Sequence, residues 1–193
     1  MKTRTKVALT ALCALLLVVA SVAGTLAYLT SNDTVTNTFT VGKVKITMDE
    51  APTDVDGNVI AGERRKANEL HLIPGSDYKK DPTIHVEENS EDAYLFVKIT
   101  DQIAAIQDTK TVTEQLADNG WTAVPGKDNL YYQMHTQTNV VKDYKVFETL
   151  KVKADATNDQ LAALAGKELI INAYAIQKEN VADIDAACTA LGL

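Results

Sequence analysis

Three histidines are the first residues whose chemistry can be judged from their spacing: His71, His85 and His135. A zinc peptidase of the common kind carries two histidines one helical turn apart with a glutamate between them, and none of these three has another histidine within five residues. His85 and Glu87 are spaced to lie on one face of a strand, where they could form half of a metal site completed by a distant histidine. The simpler interpretation is a solvent-facing polar pair, and we predict neither a metal nor a cofactor.

The serines and cysteines do not have the sequence context of a catalytic nucleophile either. The four serines are Ser21, Ser31, Ser76 and Ser90, and none lies in the GxSxG pattern that exposes a catalytic serine on a strand-to-helix turn. Cys188 falls on the apolar face of a helical pattern near the C-terminus, where a thiol behaves as a small hydrophobic group. We therefore predict that the protein is not an enzyme.

Two groups of acidic residues could bind a divalent cation. The first, Asp54 to Asn58, has its glycine two positions too early for a calcium loop and lacks the glutamate that should follow, so Asp56-Gly57 is predicted to be a tight turn. The second comprises Glu87, Glu88, Glu91 and Asp92. We expect a solvated loop there, with weak divalent binding as the alternative.

The N-terminus has the pattern of a secretory signal peptide. Lys2, Arg4 and Lys6 precede an uncharged apolar stretch over 7–27 that ends in small residues. The stretch is also about long enough to be a retained membrane anchor, which is the alternative. Small residues permit cleavage after Ala23 or after Ala27, and the second site would make Tyr28 the first mature residue.

Charge and composition exclude several classes of protein. The chain has 193 residues with 19 basic and 26 acidic side chains, a formal charge of −7, so a basic nucleic-acid surface is not expected. Removing 1–27 would leave 16 basic and 26 acidic residues, a charge of −10. Such an exported chain should stay dispersed until its carboxylates are screened or bridged. With one remaining cysteine, no intrachain disulfide is possible.

The elements that follow indicate a mainly β domain over 43–193. Alternating or continuous apolar runs predict seven to nine strands, of which 92–100 is apolar on both faces and therefore central, and 144–153 forms one strand. Capping-box spacings at Thr111/Glu114 and Thr157/Gln160 predict two short helices, and the C-terminal pattern predicts a third. Strands separated by Pro/Gly turns favour an antiparallel β-sandwich over a parallel α/β sheet.

Several blocks of the chain resemble one family. GTLAYLTSNDTVTNTFTVGKVKITMDE is similar to the signal-peptide junction of the TasA/camelysin proteins, which are exported by Gram-positive bacteria. LIPGSDYKKDPTIHVEENSEDAYLFVKI and INAYAIQ resemble later blocks of the same family. Residues 102–165 carry no pattern of the family.

The resemblance implies cleavage after Ala27 by a signal peptidase of the SipW kind and a jelly-roll β-sandwich. It implies a secreted structural subunit that forms fibres in the biofilm matrix or on the cell surface. Residues 28–42 would be an extended segment that adds as a strand to the next subunit, a copy of itself or a paralogue. The alternative from the sequence is that this segment is a flexible N-terminal strand or one that docks on its own subunit. The candidate donor residues are Tyr28, Val35, Phe39 and Val41, with Phe39 or Tyr28 as the apolar plug.

Two alternatives stay open from the sequence. Camelysin is described as a surface metallo-endopeptidase, although no zinc motif here supports that activity. The second alternative is a monomeric surface-binding module that uses the loops 49–69 and 102–128.

Overall fold

The computed structural model of the protein describes residues 43–179 and 181–193, which belong to one compact unit. The predicted signal peptide, its cleavage at Ala27–Tyr28 and the segment 28–42 lie outside the described residues, and with them the candidate donor residues Val35, Phe39 and Val41. In the described part of the chain, no helix has the length and apolar character needed to cross a membrane.

The described residues are mainly β, with antiparallel pairing throughout and a few short helices, as predicted. The strands in chain order are β1 (Ile46–Asp49), β2 (Asp77–Lys79), β3 (Thr83–Val86), β4 (Ala93–Asp101), β5 (Thr122–Ala123), β6 (Leu130–His135), β7 (Lys142–Lys145), β8 (Thr149–Lys151) and β9 (Leu169–Gln177). The helices are α1 (Val112–Asp118), α2 (Asn158–Ala162) and α3 (Ile184–Leu191), with one 3₁₀ turn at Ala104–Ile106.

The strands form three sheets. The largest has the order β5-β6-β4-β9, and the others are β1-β3-β7 and β2-β8. Strand β4 lies between β6 and β9 in the largest sheet, which confirms the prediction of a central strand. Its continuous apolar sequence follows from this position, because both of its faces are covered.

Two apolar clusters cover the two faces of the four-stranded sheet. On one face, Leu95, Val97 and Ile99 of β4 join a core with apolar side chains of all three sheets and of α1. On the other face, Tyr94 and Phe96 pack in a smaller cluster with α3. Alternate residues of β4 therefore enter different cores, as the period of two of a strand requires.

The helices begin where the sequence predicts. The Thr111 hydroxyl accepts a hydrogen bond from the Glu114 N–H, and the Glu114 carboxylate accepts one from the Thr111 N–H at 2.7 Å. The same reciprocal pair joins Thr157 and Gln160 at α2. Helix α3 is capped by Asp183 and places Cys188 against the smaller core, as the apolar pattern indicates.

The prediction of a single strand over 144–153 is wrong. Residues 142–145 pair with β3, whereas residues 149–151 pair with β2 in a different sheet. Between them, Val146 and Phe147 are buried in the larger core. The Asn119 amide donates a hydrogen bond to the Val146 carbonyl at 3.2 Å, and the Trp121 indole N–H donates one to the Lys145 carbonyl at 2.8 Å. These distant side chains hold the backbone in its change of sheet.

The turn predicted at Asp56-Gly57 is present. The Asp54 carboxylate accepts hydrogen bonds from the backbone N–H groups of Asp56 and Asn58 at 3.1 and 2.8 Å. Gly57 has a φ of +80°, and a Cβ at this position would lie 2.5 Å from the Tyr78 ring. The Asp54 carboxylate therefore stabilises this turn through local hydrogen bonds.

Candidate functional site: the open edge of strand β9

Strand β9 has one long edge that no described strand pairs with. The pairing with β4 uses the backbone groups of its even-numbered residues, as shown by the flanking hydrogen bonds from Lys178 N–H to the Asp92 carbonyl and from Gln102 N–H to the Glu168 carbonyl. The odd-numbered residues therefore direct their N–H and C=O groups away from β4. They are Leu169, Ile171, Ala173, Ala175 and Gln177. Within 43–179 and 181–193, none of these outward backbone groups has a hydrogen bond.

The other sheet edges in the described chain are short, and most are covered. The Gln115 side chain accepts hydrogen bonds at the edge of β8 from the N–H groups of Glu148 and Thr149. The edge of β7 is covered by Trp121, as described above, and that of β2 by the Gly57 carbonyl. Strand β5 has only two residues. Proteins commonly blunt their sheet edges in such ways, so the nine-residue edge of β9 is an exception within its own fold.

Some apolar side chains of the larger core beside this edge are only partly buried. Strand β1 lies next to β9, and the inward side chains of both strands are only partly buried. These side chains are Ile46, Met48, Leu169, Ile171, Ala173 and Ala175. On the neighbouring strand β4, by contrast, Leu95 and Val97 are fully buried. The apolar side chains of β1 and β9 are thus less fully buried than those of β4.

Strand β1 offers a much smaller acceptor edge. Its odd-numbered residues pair with β3, which leaves the backbone groups of Ile46 and Met48 directed outward. The edge then ends at Glu50, whose N–H and C=O both form 2.8 Å hydrogen bonds with Arg65. An incoming strand consequently finds most of its possible backbone partners on β9.

A charged cluster holds β1 in place. His85 in β3 contacts carboxylates on both neighbouring strands, with Nε2 2.9 Å from Asp49 and Nδ1 2.7 Å from Asp143. Carboxylates only accept hydrogen bonds, so both ring nitrogens are satisfied when His85 is a cation. Burial lowers the pKa of His85, but the hydrogen bonds to these two carboxylates outweigh it and raise the pKa above its ordinary value. Arg64 bonds Asp49 and, at 2.9 Å, Asp81.

The candidate metal residues His85 and Glu87 do not come together. His85 is engaged with Asp49 and Asp143, whereas Glu87 forms an ion pair with Lys45 at 2.6 Å. His135 is fully buried and lies 2.9 Å from the Tyr144 hydroxyl through Nδ1, and its burial lowers its pKa. Among the residues that the structure describes, no group of three or more His, Cys, Asp or Glu side chains could hold a metal ion.

The remaining acidic group borders a cleft at the end of the four-stranded sheet. The cleft has a volume of about 420 Å³ and is lined by Glu91, Asp92, Gln137, Gln177, Lys178 and Glu179. The Asp92 carboxylate accepts a 2.7 Å hydrogen bond from the Gln137 N–H. Because Gln177 is the last residue of β9, this polar cleft marks one end of the open edge. Cys188 lies elsewhere, on the buried face of α3, and burial raises the pKa of its thiol.

The sequence predicts 167–177 as a second fully apolar strand, like 92–100. The structure forms this strand but, within the described residues, pairs it on one side only and leaves its side chains partly exposed. The signal that could have indicated it is the content of small and polar residues, since Asn172, Ala173 and Ala175 interrupt the apolar run. The central strand β4 has larger apolar residues throughout Tyr94–Val97. A strand whose side chains pack less fully is compatible with a place at the margin of the core.

Comparison of the chain with family models, with curated proteins and with solved structures finds no match.

Proposed function

We propose that the protein is a secreted, non-catalytic structural subunit that assembles into extracellular fibres by strand addition. The observation that carries the proposal is the edge of β9, with its outward backbone groups and the partly buried core beside it. An extended peptide adds to such an edge through main-chain hydrogen bonds, and its alternate side chains fill the adjacent core.

The occupant in this proposal is the segment 28–42 of a second copy. The segment contains no proline, its one charged side chain is Asp33, and it is rich in threonine and valine, which favour strands. The antiparallel sheets then form a jelly-roll sandwich whose missing strand comes from the neighbouring subunit. Each subunit donates one segment and accepts another, so the contact is heterologous and generates a filament.

The resemblance to the TasA/camelysin family supports the place of action. It points to export from a Gram-positive bacterium, maturation after Ala27 by a signal peptidase of the SipW kind, and fibres of the biofilm matrix or cell surface. While 1–27 remains attached, the start of the donor segment stays tied to the membrane. Cleavage after Ala27 would therefore free the donor segment and allow the subunits to assemble.

Two variants of the mature chain separate donor from acceptor. Deleting 28–40 removes the donor, whereas Ala173→Pro removes an outward N–H of β9 and leaves its pairing with β4 intact, because that pairing uses the even-numbered residues. Ala173→Ser is the matched control. Circular dichroism verifies that each variant is folded.

The mature wild-type chain and the Ala173→Ser control should form filaments visible by electron microscopy. Each variant alone should stay monomeric in size-exclusion chromatography. An equimolar mixture of the two variants should give dimers, because one supplies the only donor and the other the only acceptor. Filaments from the deletion variant would refute the mechanism, and a monodisperse wild-type chain at all concentrations would favour the surface-binding module.

A further inference from the structure

Three basic residues, Arg64, Arg65 and Lys66, follow one another in the loop between β1 and β2. They lie in the segment 58–67, in which every residue is exposed, and no longer exposed run occurs in the described part of the chain. A serine endopeptidase of basic specificity makes two demands on its substrate. The basic side chain must enter an acidic pocket, and the carbonyl of the same residue must enter the oxyanion hole. These demands distinguish the three residues.

Arg64 does not meet the first demand, because its side chain is already bound. Its guanidinium donates hydrogen bonds to the Asp49 carboxylate and, at 2.9 Å, to the Asp81 carboxylate. It also donates to the backbone carbonyls of the same two aspartates, at 3.2 and 3.1 Å. The pocket of an endopeptidase would have to displace all of these hydrogen bonds.

Arg65 does not meet the second demand, because its backbone is paired. Its carbonyl accepts a 2.8 Å hydrogen bond from the Glu50 N–H, and its N–H donates one of 2.8 Å to the Glu50 carbonyl. A cut after Arg65 requires its carbonyl to leave Glu50 and turn into the oxyanion hole. The side chain of Arg65 is exposed, so the backbone pairing is what protects this position.

Lys66 meets both demands. Its side chain is exposed, and no described residue forms a hydrogen bond with its backbone N–H or C=O. The residue after the bond, Ala67, is small and exposed. Other exposed lysines are followed directly by an acidic residue, whose carboxylate is repelled by an acidic pocket; they are Lys127, Lys142 and Lys167.

From these contacts we infer that the Lys66–Ala67 bond is a processing site for a serine endopeptidase of basic specificity, and that the cut chain remains one folded subunit. Hydrolysis adds water across this amide bond. It leaves a carboxylate on Lys66 and an amino group on Ala67, which takes up a proton. Both new ends lie at exposed positions.

Contacts across the cut hold the two fragments together. Strand β1 belongs to the first fragment and pairs with β3 of the second. The buried Glu50 forms a 2.8 Å ion pair with Lys80, and the Ala51 N–H donates a 2.6 Å hydrogen bond to the Asp81 carboxylate. Just beyond the cut, the Asn68 amide donates a 2.9 Å hydrogen bond to the Ala51 carbonyl.

Trypsin at a low molar ratio is the probe, applied to the full mature chain at a concentration at which the chain is monomeric. The first cut within 46–193 should give the fragments 28–66 and 67–193, identified by intact mass and by an N-terminal sequence that begins at Ala67. The two fragments should elute together from a size-exclusion column at the position of the uncut chain, and apart in denaturant.

Lys66→Gln tests whether the fold protects the other two basic residues. The native variant should lose the cut in this loop although Arg64 and Arg65 remain. A synthetic peptide of residues 58–72 with the same substitution should be cut after Arg65, because it lacks Glu50. Arg65→Gln is the matched control, since it removes one charge from the neighbouring position, and it should still be cut after Lys66.

Three results would each overturn the inference. They are a native cut after Arg64 or Arg65, a first cut elsewhere within 46–193, and separation of the fragments without denaturant. The site is remote in sequence from β9, and the cut is measured on the monomer, so failure here leaves the proposed fibre function untouched.

Discussion

His85 joins three strands through its two ring nitrogens. Asp49 belongs to β1 and Asp143 to β7, so a protonated His85 ties both outer strands of this sheet to the middle one. Burial raises the pKa of Asp49, but hydrogen bonds from Arg64 and His85 outweigh it and hold the pKa below its ordinary value. Since β1 lies next to β9, this cluster holds in place the strand beside the proposed acceptor edge.

The stabilisation by His85 should depend on pH with a defined sign. A raised pKa means that the stabilisation is fully present below the ordinary histidine pKa of about 6.5 and is lost as pH rises through the folded-state pKa. The lowered pKa of Asp49 means that the stabilisation of the folded state by this carboxylate is present above about pH 4 and is lost as pH falls. The cluster therefore contributes most between these values.

We expect His85→Gln to lower the free energy of unfolding by about 1 kcal/mol at pH 6, a value typical of a partly exposed ion pair. At pH 9 the loss should be much smaller. Urea denaturation at both pH values measures it. Wild type and His85→Gln both retain His135, whose lowered pKa makes the free energy of unfolding change with pH in the opposite direction. The difference in unfolding free energy between the two proteins therefore reports the contribution of His85. Glu87→Gln serves as the control, and an equal loss by His85→Gln at both pH values would contradict the prediction.

At the scale of elements, the predictable parts are those whose signal is local. The helices α1 and α2 begin at capping boxes because the partners are three residues apart. Strand β4 is recognisable as central because apolar residues occupy both of its faces. The edge position of β9 and the division between β7 and β8 depend on partners far along the chain. His85 was visible as a chemical candidate, but Asp49 and Asp143 reach it only through strand pairing.

Gln115 shows how one helix closes a sheet edge. Its amide nitrogen donates a 2.8 Å hydrogen bond to the Thr149 carbonyl, while its oxygen accepts from the N–H groups of Glu148 and Thr149. The residue is buried, so water cannot readily replace these bonds. The side chain takes the place of a neighbouring strand for β8.

Gln115→Met keeps the volume of the side chain but leaves those backbone groups unsatisfied. We expect it to lower the free energy of unfolding by about 2–3 kcal/mol, the cost of stranding buried polar groups. Chemical denaturation followed by tryptophan fluorescence measures the loss. The exposed Gln137→Met is the matched control and should change stability by less than about 0.5 kcal/mol. A similar loss in both variants would show that the edge-closing role of Gln115 is wrong.

For the whole molecule, the decisive property is the charge of the mature chain. In the proposed fibre, removal of 1–27 would leave each subunit with 16 basic and 26 acidic residues, so that neighbouring subunits should repel one another. The acceptor edge is largely uncharged, since the side chains of β9 are apolar apart from Asn172 and Gln177. Screening should thus reduce the repulsion between subunits while leaving the strand pairing intact.

Raising the salt concentration at constant pH should therefore favour assembly. The screening length falls from about 30 Å near 0.01 M salt to about 8 Å near 0.15 M salt. Over this range of salt concentration, the critical concentration for assembly should drop roughly several-fold. Light scattering of the mature chain across a sodium chloride series at pH 7 measures the effect, and constant pH keeps His85 from contributing. Ala173→Pro should stay monomeric at every salt concentration. If that variant aggregates with salt as readily as wild type does, the association is nonspecific and does not use the edge of β9. If salt instead raises the critical concentration of wild type, ion pairs between subunits hold the fibre together and the edge of β9 is not its main contact.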